Sequence, residues 1–103
     1  MKMDIKKMCS ELGLTYEITE GVEYGFVGDV YILEANEKRV YYFSTAIINR
    51  FWNEKLIEFQ DLCSNDNEKC NYIRIKKILS KIIVKYKKLQ IELRKEIMKD
   101  DFV

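Results

Sequence analysis

Toward the C-terminal end of the chain, Ile75, Leu79, Ile82, Tyr86, Leu89 and Leu93 recur at three- and four-residue spacing. At the usual step of about 100° per residue, all six fall within roughly 40° of one line along a helix. Ile78 and Ile83 flank that line and widen it. A stripe this long has to be buried. It commits the chain to a long helix over residues 71–99, and the preceding residues must supply the apolar surface on which it lies.

What precedes it reads as a short helix, a run of strands and a second helix. Residues 4–12 first predict a short helix, with Asp4 as its cap, Ile5, Met8, Cys9 and Leu12 on one face, and Gly13 at its end. The apolar period then drops to two. Leu14, Tyr16 and Ile18 alternate with Thr15, Glu17 and Thr19, and Val22, Tyr24 and Phe26 share one face of the next run. Glu20-Gly21 and Gly28-Asp29 are two-residue hairpin turns, and Asn36-Glu37-Lys38 turns the chain again. VYILEA (30–35) is apolar on both faces, as a central strand should be, and RVYYF (39–43) follows it. Ser44 or Thr45 is then expected to cap a second helix over 45–62. On that helix Ile48, Phe51, Trp52, Leu56, Phe59 and Leu62 form the apolar stripe, with Trp52 and Phe59 against the sheet. SNDNEKC (64–70) is the most loop-like stretch.

The predicted fold is therefore α+β. A short N-terminal helix leads into an antiparallel meander of three to four strands, followed by two helices, the last of them long and basic. With 103 residues, 48% hydrophobic and 34% charged, residues 1–103 suit a single globular domain.

Charge is segregated along the chain although the net charge is only +1. Residues 14–43 carry six acids against Lys38 and Arg39, whereas residues 71–99 carry ten bases against Glu92 and Glu96. On the long helix Arg74, Lys77, Lys81, Lys85, Lys88, Lys95 and Lys99 share one sector and form a basic stripe, open to an acidic protein, to nucleic acid or to solvent alone. Opposite the buried stripe, Ile73, Val84, Ile91 and Met98 gather into a second apolar line, with the last three one heptad apart. A surface helix does not ordinarily repeat apolar residues opposite its core, so this line is expected to face a partner, a second copy of the chain included.

Chemistry-bearing constellations are sparse. There is no histidine, so neither Ser-His nor Cys-His catalysis has a base. Cys9, Cys63 and Cys70 are an odd set of thiols without a secretion signal, which fits a reducing cytoplasm. Lys69 beside Cys70 is weak ground for a lowered thiol pKa, and all three cysteines are expected to be small buried or half-buried apolar groups. Six residues separate Cys63 from Cys70, too many for a zinc pair, and Asp61, Asn65, Asp66, Asn67 and Glu68 do not match a calcium loop. No metal, cofactor or membrane span is expected. Gly25-Phe26-Val27-Gly28 has the GxxG spacing with which KH domains clamp a nucleic-acid backbone between two helices, but the strand patterns on either side make it a strand end and hairpin.

The order helix, strands, helix resembles the double-stranded RNA-binding fold. That resemblance implies lysines at the start of the helix after the sheet, and here the position reads STAIINRFW with Arg50 as its one base. The helix–meander–helix layout also resembles small phage-encoded inhibitors of bacterial defence nucleases. The expectation is a non-enzymatic, cytoplasmic interaction protein, encoded by a phage or mobile element, that binds and modulates a macromolecule. The alternative is a nucleic-acid-binding protein that uses the basic stripe.

Overall fold

Asp4 opens the first helix: its carboxylate accepts the Lys7 amide at 3.0 Å, one of the donors a helix start leaves unpaired. In this computed structural model, which describes the backbone of residues 2–51 and 54–101 and the side chains of 2–50 and 55–95, that helix is α1, Ile5–Leu12. It is followed by β1 (Thr15–Thr19), β2 (Val22–Val27), β3 (Val30–Ala35), β4 (Arg39–Phe51), β5 (Glu54–Asp66) and α2 (Tyr72–Asp101). The five strands form one antiparallel sheet in the order β1-β2-β3-β4-β5, so every connection is a hairpin.

The turns follow from their residues. Glu20 and Gly21 both have positive φ (51° and 78°), the two-residue turn whose twist matches paired strands. At the β3–β4 turn the Asn36 side chain accepts the amides of Lys38 and Arg39, each at 2.8 Å. Gly25 pairs with Leu33, but the next pair is Phe26 with Tyr31, leaving Ile32 as an extra residue in β3. This bulge explains why consecutive residues, Ile32 and Leu33, are both buried. Gly25 lies where Cys9 of α1 packs close over the sheet. A Cβ there would stand 2.9 Å from Cys9 Sγ and 3.2 Å from Leu14.

One face of the sheet carries the core. Ile5, Met8 and Cys9 of α1 and Ile75, Leu79, Ile82 and Ile83 of α2 pack against Leu33, Ala35, Val40, Tyr42 and Ala46. The expected helical stripe is thus buried over its first half. Tyr86, Leu89 and Leu93 farther along are partly buried.

The helix expected over 45–62 is not formed. That segment lies in the long hairpin of β4 and β5, so the sheet has five strands rather than three to four, and one helix rather than two follows it. Eight of the thirteen residues of β4 are β-branched or aromatic (Val40, Tyr41, Tyr42, Phe43, Thr45, Ile47, Ile48, Phe51), a composition that suits a pleated ladder better than a helix. β3 pairs with β4 only at Val40, Tyr41 and Tyr42. Beyond them β4 and β5 continue as a two-stranded ribbon from Phe43↔Leu62 to Phe51↔Glu54. Trp52, expected in the core, lies outside the described residues. The ribbon is held by α2: Phe59 is buried and stacks on Tyr86 at 5.4 Å between ring centroids. Ribbon and helix together draw the molecule out to 56 × 23 × 21 Å.

The polar run after β5 is tied down at Asn67, which is buried. Its side-chain oxygen accepts the Met3 amide at 2.9 Å, and its amide nitrogen donates to the Asn36 carbonyl at 2.6 Å. Its own backbone N–H donates to the Lys38 carbonyl at 2.9 Å.

Candidate interaction surface

α2 is long enough to serve the core and still present other faces. With Ile75, Leu79 and Ile82 turned into the sheet, the remaining sectors point outward. Arg74, Lys77, Lys81, Lys85, Lys88 and Lys95 are all exposed, so the basic stripe occupies one open side of the helix over about 32 Å. Ile73, Val84 and Ile91 are exposed by 77%, 52% and 55%, which leaves the second apolar line uncovered within the chain. The Met98 side chain lies outside the described residues.

The fold adds cations that no sequence spacing reveals. Arg39 at the start of β4 and Lys69 after β5 line one open concavity with Arg74, Asp66 and Asn71, about 440 Å³ in volume. Arg39 donates to Ser64 Oγ at 2.7 Å across the hairpin. The basic stripe therefore continues past the N-terminal end of α2 onto the sheet edge. Arg39 and Arg74 stand 35 positions apart in the chain, and the β4–β5 pairing brings them together.

The other flank of α2 is occupied. Lys76 pairs with Glu11 of α1 at 2.8 Å, and the Tyr72 hydroxyl donates to the same carboxylate. These two hydrogen bonds hold the Glu11 carboxyl below its ordinary pKa. Lys7 lies 5.6 Å from the centre of the Tyr72 ring. Lys76 is therefore a cation used to join the two helices and stands apart from the open stripe. Toward the other end of α2, Tyr86, Gln90, Leu93 and Arg94 face Val30, Leu56, Ile57 and Phe59 across a groove of about 280 Å³.

The thiols are not set up as nucleophiles. Burial, reinforced by the charge of Glu23, pushes the Cys9 thiol up to about 11. Burial also raises Cys70 despite the neighbouring Lys69, because the sulfur packs beside Met3 and the Asn67 carbonyl. Cys63 Sγ turns to the Asp61 carbonyl. All three cysteines are free. Among the described residues no three His, Cys, Asp or Glu side chains converge as metal ligands, and no helix is long and apolar enough to cross a membrane. Gly25, the first glycine of the GxxG spacing, is buried in β2 under α1, away from any surface that could clamp a nucleic acid.

The chain matches no protein-family model, and comparison with curated proteins and with solved structures gives no match.

Proposed function

We propose that this is a non-catalytic cytoplasmic protein that binds a macromolecular partner through the outward sectors of α2 and modulates it as an inhibitor or regulator. The supporting observation is the division of labour on that helix. One side is spent on the core, while six cations and an apolar line stay open on the others. A solvated helix needs neither the segregation nor the second apolar line. A protein partner accounts for both features, since the cations select an acidic surface and the apolar residues supply contact area.

A nucleic acid is the second reading, favoured by the continuation of the stripe through Arg39 and Lys69. It leaves the apolar line without a use. It also lacks an aromatic platform on α2, where Tyr86 is committed to Phe59.

Replacing Lys77, Lys81, Lys85 and Lys88 together with Gln tests the proposal. Melting should move by no more than a few degrees, because exposed charges contribute little each. The parent should retain a defined host protein that the variant releases. If random duplex is the ligand instead, the salt dependence of its binding should become shallower by about 3–4 in log–log slope. Identical binding by parent and variant to every partner would remove the stripe from function.

A further inference from the structure

The surroundings of the apolar line on α2 restrict what can cover it. On the helix, Ile73, Val84 and Ile91 lie within about 20° of one another and opposite Ile75. Lys77, Lys88 and Lys95 border the line on one side, and Lys87 and Arg94 on the other, all five exposed. Glu92, the one acid among the described side chains of α2, stands about 100° away from it. The line is therefore one residue wide, framed by open cations along one edge throughout and along the other from Val84 to Ile91, where Lys76 nearer Ile73 is paired with Glu11.

That frame argues against two of the three natural occupants. Two copies of α2 laid seam to seam, in either direction, would set cation against cation at each border among the described side chains, where Glu92 is the one acid and stands off the seam. A lipid surface needs a broad apolar face to enter the interface. The broad face of α2 is already spent on Tyr42, Ala46 and the rest of the core. What remains is a partner that brings a narrow apolar row with acids beside it. The intervals of eleven and seven residues keep the line on one side of α2 for about 27 Å, the length and spacing that a second helix follows at a shallow crossing angle.

We infer that the line through Ile73, Val84 and Ile91 is the docking seam for an acidic amphipathic helix of a different protein. The inference rests on the interaction reading above and narrows its partner. Such a helix would lay its apolar row between the two cation borders and pair its flanking carboxylates with Lys77, Lys88 and Lys87, as flanking charges select partners in coiled coils.

The test uses the full chain and a synthetic four-heptad helical peptide with Leu and Ile on its apolar row and Glu at the flanking positions. A second peptide carries Lys in place of each Glu. In fluorescence anisotropy the Glu peptide should bind roughly tenfold or more tightly than the Lys peptide, and raised salt should weaken it. Val84→Ser with Ile91→Ser removes apolar contact but leaves the frame of cations intact. This variant should bind the Glu peptide about tenfold less tightly while melting as the parent does. Equal affinity of parent and Ser variant would overturn the seam. If the four-Gln variant lost the peptide in that case, the basic stripe would still stand as a binding surface. If neither variant mattered, both readings would fall. Preferential binding to phosphatidylcholine–phosphatidylserine vesicles that the Ser variant abolishes would assign the seam to a lipid surface. Self-association of the parent that the Ser variant abolishes would assign it to a second copy.

Discussion

The side chain of Asn67 joins three distant parts of the chain. It accepts from Met3 and donates to the carbonyl of Asn36, so the N-terminal segment and the β3–β4 turn are fixed to the turn that leads into α2. Each bond satisfies a backbone group near the core, and losing a partner there costs about 1–3 kcal/mol per group. Asn67→Ala should therefore destabilise by about 2–4 kcal/mol, read in urea as a lower midpoint at unchanged slope. Asn67→Asp keeps the acceptor for Met3 but sets a buried carboxylate oxygen against the Asn36 carbonyl, so its loss should be at least that of Ala. A midpoint for Ala equal to the parent's would mean that water replaces both bonds without cost. Nothing in the sequence marks this residue. Asn65, Asn67 and Asn71 stand in one polar run, and the run reads as a solvated loop with a faint calcium-like pattern. The three partners that make Asn67 special are 31 and 64 residues distant for its side chain, and the Lys38 carbonyl for its backbone.

At the scale of elements, α1 and α2 were legible because each buries one face and a one-sided helix writes its period into the sequence. By contrast, β1, β2 and β3 were legible as β-rich runs bounded by turns: Ile18 is exposed, Gly25 rather than Val22, Tyr24 or Phe26 is the buried residue of β2, and β3 buries Ile32 and Leu33 in succession. Asp4, Glu20-Gly21 and Gly28-Asp29 marked the ends correctly for local reasons of capping and turn chemistry. The β4–β5 hairpin was legible only at its start, where RVYYF (39–43) reads as strand, and not beyond Phe43. In a two-stranded ribbon apolar residues fall at odd and even positions, so the alternation fades and chance spacings of three and four emerge. Ile48, Leu56, Phe59 and Leu62 fit a helix on paper, yet Phe59 faces Tyr86 while Leu56 and Leu62 are exposed. Asp61 adds a local irregularity, with a φ of 58° in the middle of β5. The hairpin was betrayed only by its β-branched and aromatic content. The outward side of α2 was legible in register, since the cations and the apolar line are exposed where the helical step puts them. Arg39 and Lys69 were not, because sheet pairing brought them there.

The ribbon depends on α2 more than on the sheet, since β3 supports β4 at three positions only. Phe59→Ala should cost about 3–5 kcal/mol by emptying a buried aromatic site. The loss should be uneven. Hydrogen exchange should speed up most across the β4–β5 ribbon beyond Phe43, while β1, β2 and α1, which do not touch Phe59, should change only through global unfolding. Uniform acceleration across all five strands would mean that ribbon and sheet open as one unit.

For the molecule as a whole, the groups whose ionisation is disturbed set the pH limits of the fold, and the alkaline limit is the sharper one. Burial raises Cys9 to about 11 from an ordinary 9. The hydrogen bond donated to Glu23 at 2.6 Å is the main cause that lifts Tyr16 to about 12 from an ordinary 10. Tyr72 is raised as well, first by burial and then by Glu11. In each case the folded state holds its proton more tightly than the unfolded chain. The stabilisation is then fully present below the unfolded pKa and is lost as pH climbs through the folded one. For Cys9 that window runs from 9 to about 11, and for Tyr16 from 10 to about 12. On the acid side Glu11 works in the opposite sense. Its lowered pKa contributes stability above the ordinary 4.5, lost as pH falls through its folded value. The melting temperature should thus hold level near neutrality and begin to fall close to pH 9, where the unfolded thiol starts to ionise. Cys9→Ala lowers the whole curve somewhat, because Cys9 fills space against Gly25. It should also make the fall above pH 9 shallower, because Cys70, whose thiol burial raises as well, still loses stability there before the tyrosines take over. The slope of that fall, rather than the absolute melting temperature, is the quantity to compare. A slope equal to the parent's would show that the Cys9 thiol ionises within the fold at no cost, which a cysteine wedged between α1 and β2 cannot do.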